Sequence, residues 1–171
     1  IGCSTTTSGS GDADARRAAL NSGADAALSN LYRQVNGSEQ LVSNARGVLV
    51  FPSVLGAGFV FGGSSGEGVL RKGGQTVSFH RTTSGSWGLQ SGAQSTAVFL
   101  LFMTDDALAR FESSEGWAVG ADATVTLATV GANAQLSTET AQQPVVGFVL
   151  SNRGLMAGVT LSGTRITRMN P

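Results

Sequence analysis

Two short segments of the chain are apolar at consecutive positions, and they constrain the fold more than any other feature. The first is Gly47–Phe51, which is followed by Pro52, and the second lies in Gln94–Met103, which ends in the apolar run VFLLFM. A strand with one face in water alternates apolar and polar residues, whereas a strand without that alternation is covered on both faces. We therefore predict two central strands of a covered sheet, the first ending at Pro52, which cannot donate to a ladder.

Other segments show the period of two that is typical of strands, and glycine pairs separate them. Gly73-Gly74 predicts a hairpin turn, as does Asn152-Arg153-Gly154, and a further turn is predicted over Gly62–Gly68. The further predicted strands are Ala57–Gly63, Gly68–Lys72, Thr76–Thr82, Trp117–Leu127 continued by Asn133–Ser137, Pro144–Leu150, Leu155–Leu161 and Thr164–Met169.

Helical periodicity appears in three places. Asp12–Gln34 carries one apolar stripe and ends at Asn36-Gly37. Ser38 is expected to cap a short helix that runs to about Asn44. Thr104 is expected to cap a helix over Asp105–Ser113, whose first turn holds Asp105 and Asp106 as charges that suit a helix start. The stripe of the first helix is Leu20, Ala24, Leu28, Leu31 and Val35.

Composition excludes several classes of function. Eleven basic and eleven acidic residues give no net charge, so we expect no nucleic-acid partner. One histidine and one cysteine argue against a zinc or iron–sulfur site, and we expect neither metal nor cofactor. The sequence also contains no run of 18 apolar residues that would predict a membrane-spanning helix.

The N-terminus resembles a bacterial lipoprotein signal. Ile1 and Gly2 would occupy the last two lipobox positions before Cys3, which lies ahead of a Ser/Thr/Gly segment that would serve as a tether. Lipidation at Cys3 would hold the protein at a bilayer, and Ser4 favours the outer membrane by the usual sorting rule. The alternative is an incidental free thiol. We predict an anchor and tether over residues 1–12 and one domain over residues 13–171.

An enzymatic interpretation is weak. Residues 62–66, GGSSG, match the G-x-S-x-G pattern, but a nucleophile elbow needs a following helix, and here a strand is predicted. His80, the one histidine, shares a strand face with Ser78 and is expected at a surface or edge position. We therefore expect no catalytic residues and no enzyme.

Several ordered blocks resemble the SYLF domain family, and the resemblance extends over roughly residues 14–167. The opening signature is Ala45–Ser53 with Gly56–Phe59, and Gly85–Thr96 resembles the central glycine-rich block. Gly120–Ala123 and Ser151–Val159 resemble two later blocks. Pattern and resemblance together predict an α+β fold: an antiparallel, strongly curved, barrel-like sheet with N-terminal helices and one helix inserted after the central strand.

The resemblance implies binding to phospholipid, since eukaryotic relatives bind phosphoinositides and bundle actin. Actin is not expected in a bacterial periplasm, so membrane phospholipid, including anionic head groups, is the expected partner. The alternative is a structural lipoprotein that meets envelope proteins and has no lipid site of its own. The candidate lipid-binding residues are Arg16, Arg17, Arg33, Arg71, Lys72 and Arg81.

These candidates form two groups. Arg16, Arg17 and Arg33 lie on the first helix, as basic residues do in the relatives, but the same helix carries acids that offset them. Arg71 and Lys72, with Arg81 on a neighbouring strand, form the densest basic cluster, which could meet phosphate groups or form a solvated hairpin face.

Overall fold

The computed structural model describes residues 8–55, 64–84, 95–114, 116–120, 122, 124–127, 143–151, 154–155 and 165–169. These residues form an α+β fold of three helices and nine strands. The helices are α1 (Ser8–Gln34), α2 (Ser38–Asn44) and α3 (Asp105–Ser113). The strands are β1 (Gly47–Leu55), β2 (Ser64–Lys72), β3 (Gln75–Ser84), β4 (Ser95–Phe102), β5 (Gly116–Ala118), β6 (Thr126–Leu127), β7 (Val145–Ser151), β8 (Gly154–Leu155) and β9 (Arg165–Met169).

One sheet contains all of these strands, and it is curled. Its order is β5-β9-β3-β2-β1-β4-β7-β6, with β8 also paired to β7, and among the described pairs β6–β7 alone is parallel. A flat sheet of this order would separate β5 from β6 by about 34 Å. The chain from Ala118 to Thr126 spans at most about 29 Å when extended, and it turns at Gly120, whose φ is 95°. The ends of the sheet therefore approach each other, which confirms the predicted curvature.

Helices cover both faces of the sheet, and each face has its own core. We call the face beneath α1 and α2 the α1 face, and the opposite one, which packs on α3, the α3 face. The buried α1-face core is Ala24, Leu31, Val35, Leu41, Val48, Val50, Val69, Phe99, Leu101, Val146, Phe148 and Leu150. The buried α3-face core is Leu49, Phe51, Leu70, Val98, Leu100, Phe102, Leu108, Phe111, Trp117, Val119, Val145, Val149 and Ile166.

The central strands are apolar at consecutive positions because both of their faces are buried. In β1, Val48 and Val50 face α1 whereas Leu49 and Phe51 lie in the α3-face core. β4 and β7 divide their residues between the two faces in the same way. The prediction that Gly47–Phe51 and Gln94–Met103 form covered central strands is confirmed.

The prediction that the first of these strands ends at Pro52 is wrong. β1 continues to Leu55, and its register shifts between Val50 and Val54 against β2 and between Phe51 and Val54 against β4. Proline has no N–H for the ladder, and such an irregularity leaves a residue unpaired. Pro52 is therefore tolerated within a continuing strand.

The prediction of one strand over Trp117–Leu127 is also wrong. β5 ends at Ala118, and β6 covers Thr126 and Leu127 at the other end of the sheet order. Gly120 has a φ of 95°, which glycine adopts without strain. The Asp122 Oδ2 atom accepts a hydrogen bond of 2.7 Å from the Ala118 N–H. Alternation continues through this segment, but the backbone turns.

The hairpin at Gly73-Gly74 and the helix α3 match their predictions. Both glycines have positive φ, at 60° and 85°, and β2 pairs with β3 across them. The strands extend further than predicted, since β2 begins at Ser64, within the predicted turn over residues 62–68. α3 covers Asp105–Ser113, and the Thr104 hydroxyl accepts a hydrogen bond from the Ala107 N–H.

The N-terminal helices differ from prediction at their starts. α1 begins at Ser8 and not at Asp12, so residues 8–12 of the predicted tether are helical. Gly37, with a φ of 88°, is the N-cap of α2, and Ser38 is not. The Ser38 hydroxyl instead donates to the carbonyl groups of Leu31 and Val35, so it joins the end of α1 to α2.

Several predictions fall on residues that lie outside the described part of the chain. These are the segments at residues 56–63, 133–137 and 156–161. The hairpin predicted at residues 152–154 is partly described, because Ser151 of β7 pairs with Gly154 of β8.

Candidate functional site

Arg71 of the predicted basic cluster joins β2 to α1. Its side chain is 13% exposed and forms a salt bridge with Asp25. It also donates to the carbonyl oxygen of Asn21 at 3.0 Å and to the Thr76 hydroxyl at 3.2 Å. The Thr76 hydroxyl in turn donates to the Asn21 side chain at 2.6 Å. These bonds hold the helix against the hairpin and occupy the guanidinium group.

Lys72 and Arg81 are also paired with carboxylates. Lys72 Nζ lies 3.2 Å from Glu112 of α3, so Lys72 and Arg71 extend to opposite faces of the sheet. Arg81 pairs with Glu67 on the adjacent strand at 3.1 Å. The structure therefore does not bring Arg71, Lys72 and Arg81 together as one cationic surface.

The candidates on α1 are distributed along the helix. Arg17 pairs with Asp14 one turn away at 3.1 Å. Arg33 is exposed and donates to the Asn30 side chain at 3.3 Å. Cys3 and the Arg16 side chain lie outside what the structure describes.

The prediction that His80 lies at a surface or edge is wrong. β9 pairs with β3, which makes β3 an inner strand, and α3 covers this part of the sheet. The side chain is only 5% exposed. Its Nε2 atom lies 2.8 Å from the Ser78 hydroxyl, and its ring centre lies 4.8 Å from that of Phe111.

Burial keeps the imidazole of His80 neutral. Desolvation, followed by the charge of Arg168, lowers the pKa of His80 to about 4. A general base works best with a pKa near the operating pH, and Ser78 is buried as well. Ser64 lies on β2 where a nucleophile elbow would require a turn and a helix. Neither serine is thus placed as a nucleophile beside an accessible base.

A groove of about 450 Å³ opens at the N-terminal half of α3, within the usual range for small-ligand sites. It lies between α3, the turn between β5 and β6, and the start of β7. Its apolar wall is formed by Ala107, Trp117, Pro144 and Val145. The polar lining residues are Thr104, Asp106, Arg110, Asp122, Thr124 and Gln143.

This groove was not predicted as a site from the sequence. Asp105 and Asp106 were predicted as equivalent helix-start charges, but Asp105 pairs with Arg46 at 3.6 Å whereas Asp106 lines the groove. A signal was present, since Arg110 follows Asp106 by four residues and so shares its helix face. The contributions from β5 to β7 depend on the curl of the sheet, which local sequence does not specify.

Trp117 connects the groove to the α3-face core. Its ring packs edge-on against Phe102 and Phe111, with centre distances of 5.7 and 5.4 Å. The side chain is 1% exposed, and its Nε1 atom has no hydrogen-bond acceptor among the described residues. A buried donor without an acceptor costs about 1–3 kcal/mol, so this wall of the groove carries an unused polar group.

The described residues contain neither a cluster of metal ligands nor a membrane-spanning helix. No three histidine, cysteine, aspartate or glutamate side chains there are close enough to hold a metal ion. None of the helices in that part of the chain is long and apolar enough to cross a bilayer.

Comparison with known proteins identifies a family. Residues 83–170, just over half of the chain, match the family described as Ysc84, "Las17-binding protein actin regulator". A comparison with curated proteins found no match. The matched region includes α3, every groove-lining residue named above and the later predicted blocks, whereas the opening signature at residues 45–59 lies before it. This match and the curled α+β fold agree with the predicted resemblance, and the chain belongs to the Ysc84 family of SYLF-domain proteins.

Proposed function

We propose that this chain is a non-enzymatic SYLF-domain lipoprotein that contacts phospholipid at a bacterial membrane. Cys3 carries the lipid anchor, and the domain faces the periplasm from the outer membrane. The observation that carries the proposal is the groove beside α3, because it combines an apolar wall with charged side chains on one open surface. Phospholipids present the same combination where their head groups meet the acyl region.

Two further observations support this proposal. The Ysc84 family, to which the chain belongs, is described as a binding protein and actin regulator. Its binding role supports the proposal, and we do not assign actin regulation to this chain. The Ile1-Gly2-Cys3-Ser4 sequence resembles a lipobox. An acylated cysteine would keep the domain within reach of a bilayer whatever the strength of its own lipid contact.

Five of the described cations are paired with carboxylates, which makes the groove a better candidate for lipid contact than a basic patch. Arg17, Arg46, Arg71, Lys72 and Arg81 each pair with a carboxylate. A cation near an anionic surface contributes about 1 kcal/mol, and a neighbouring carboxylate offsets much of that. We therefore expect lipid contact that depends weakly on salt and on the anionic fraction of the bilayer.

Flotation of the Cys3→Ser chain with vesicles tests the lipid contact without its anchor. We expect the protein to float with vesicles of bacterial polar lipids and to remain bound when the ionic strength is raised. Arg71→Gln with Lys72→Gln should leave flotation unchanged. If the folded protein does not float with vesicles of any composition, the lipid contact is refuted. An envelope interaction protein then becomes the better hypothesis, to be tested by crosslinking.

Metabolic labelling tests the anchor. When the protein is expressed behind a lipoprotein signal in a Gram-negative host, we expect Cys3 to incorporate radioactive palmitate and the protein to fractionate with the outer membrane. The Cys3→Ala variant should be unlabelled and soluble in the periplasm. Absence of label in the chain that retains Cys3 would contradict the lipoprotein assignment.

A further inference from the structure

Asp106 and Arg110 of the groove carry opposite charges that are not paired with each other. They lie four residues apart on α3, a spacing that places Cβ atoms about 5–6 Å apart and allows an acid and a base to pair. Both side chains are exposed and both line the groove. Neither forms a salt bridge with any residue of the described chain, although Asp105 beside them pairs with Arg46.

Asp122 adds a second carboxylate to the same groove. Its Oδ2 atom accepts a hydrogen bond from the Ala118 N–H, which fixes the side chain in the turn after β5. The groove lining thus contains two carboxylates and one guanidinium group. A purely anionic ligand would meet two like charges, and a purely cationic ligand would leave Arg110 unpaired.

We propose that the groove binds the zwitterionic head group of an aminophospholipid of the phosphoethanolamine type. The phosphodiester oxygens accept hydrogen bonds from the Arg110 guanidinium, and the primary ammonium donates to Asp106 and Asp122. Charge-assisted hydrogen bonds of both kinds are the strong ones. The glycerol region then lies against Trp117, Pro144 and Val145. This inference rests on the proposed function and names the lipid class that its groove selects.

The ammonium distinguishes this ligand from other phospholipids. A primary ammonium has three N–H donors, whereas the trimethylated ammonium of phosphatidylcholine has none and is bulkier. Selectivity for phosphoethanolamine over phosphocholine therefore depends on Asp106 and Asp122. A surface that attracted lipid by cationic charge alone would instead prefer anionic head groups.

Two-dimensional NMR titration of the Cys3→Ser chain with phosphoethanolamine tests the groove directly. We expect the largest shifts at the backbone amides of Asp106, Arg110 and Asp122 and at the indole N–H of Trp117. Asp106→Asn and Arg110→Gln should each weaken binding about tenfold, the loss expected for one charge-assisted hydrogen bond. The NMR spectrum of each variant shows whether it is folded.

The control variants carry the same changes outside the groove. Asp105→Asn removes a carboxylate from the same helix turn, and Arg165→Gln removes an exposed guanidinium from β9. Both should bind phosphoethanolamine within about twofold of the starting chain. If ethanolamine or inorganic phosphate alone binds as tightly as phosphoethanolamine, or if Asp106→Asn and Arg110→Gln have no effect, the proposal is overturned.

Vesicle flotation separates this proposal from the proposed function. We expect stronger binding to vesicles containing phosphatidylethanolamine than to vesicles of phosphatidylcholine, and loss of that difference in Asp106→Asn. Flotation that neither groove substitution weakens would overturn the groove assignment and leave the lipid-contact function standing. Binding of free phosphoethanolamine without any flotation would support the zwitterion chemistry and refute membrane contact through the domain.

Discussion

The two faces of the sheet are both covered by helices, but they differ in what they bury. The α1-face core is mostly aliphatic, and the buried polar residue described beside it, Ser38, donates to the carbonyl groups of Leu31 and Val35. On the α3 face, Phe102, Phe111 and Trp117 pack ring against ring. That face also buries polar groups, which are Ser78, His80, Thr82 and the indole N–H of Trp117.

This difference indicates that the two faces have different roles. The α1 face joins the N-terminal helices to the sheet, and its polar contacts, such as those of Arg71, are satisfied at the edge of the core. The α3 face leads into the groove, and two of its buried polar atoms, Thr82 Oγ1 and Trp117 Nε1, have no partner in the described chain. Unsatisfied polar groups oppose stability, so the less optimised face is the one that adjoins the candidate site.

The largest expected effect is the loss of an aromatic anchor from the α3 face. Phe102→Ala should lower the free energy of unfolding by about 3–5 kcal/mol, and the lost contacts with Phe111 and Trp117 add about 0.5–1.5 kcal/mol each. Phe99→Ala on the α1 face is the matched control, since Phe99 is equally buried and has no ring contact among the described residues. Urea unfolding measures both variants, and equal losses would contradict the distinction between the faces.

Acid should destabilise the protein through the α3 face. Above the unfolded-state pKa of about 6.5, His80 is neutral in both states and has no effect. As pH falls from about 6.5 to 4, the unfolded chain takes up a proton that the folded chain, with a pKa of about 4, does not. Stability should therefore fall by about 3 kcal/mol across this window and no further below it.

His80→Gln isolates this contribution because His80 is the one histidine in the sequence. Subtracting the pH dependence of this variant removes the background of carboxylate titration. The measurement is urea unfolding at a series of pH values from 7 to 4. If the variant and the starting chain lose stability in parallel between pH 6.5 and 5, the imidazole is not the acid-sensitive group.

Arg71 and Lys72 are adjacent residues that test the two faces in one experiment. Arg71→Gln should lower stability by about 1–3 kcal/mol because the guanidinium is mostly buried and its partners on α1 lose their hydrogen bonds. Lys72→Gln should cost at most about 1 kcal/mol, since the pair with Glu112 is substantially exposed. Thermal unfolding of both variants measures the difference, and a larger loss in Lys72→Gln would reverse the assignment.

The smallest expected effect has the opposite sign. Thr82 is fully buried, and its hydroxyl has no hydrogen-bond partner within the described residues. Thr82→Val keeps the shape and removes the unpaired group, so we expect stability to rise by about 1 kcal/mol. Val69→Thr on the α1 face makes the reverse change and should lower stability, with denaturant midpoints as the measure. A loss of stability in Thr82→Val would show that the hydroxyl has a partner.

The fold could be predicted where local signals decide the structure. The Thr104 cap located α3, and the Gly73-Gly74 pair located the hairpin, because both signals act within a few residues. The extension of β1 past Pro52 and the break at Gly120 depend instead on which strands lie beside these residues. Pairing of β9 with β3, which buries His80, joins residues that are far apart in sequence.

The candidate site could be predicted less well, for the same reason. The sequence predicts a cationic cluster of Arg71, Lys72 and Arg81, which are close along the chain. Because side chains alternate along a strand, Arg71 and Lys72 extend to opposite faces of the sheet. Asp106 and Arg110 share a helix face that sequence alone could identify. These two residues line one groove with Asp122 and Val145 because the sheet is curled and both ends of its strand order lie beside α3.

The curl of the sheet also has a consequence for behaviour at high protein concentration. Long free strand edges act as templates on which other chains add, and this leads to aggregation. The strand order ends at β5, which has three residues, and at β6, which has two. Residues 119–125 connect these two strands. On a surface crowded with copies of this domain, these two end strands would therefore offer few backbone groups for one copy to capture from another.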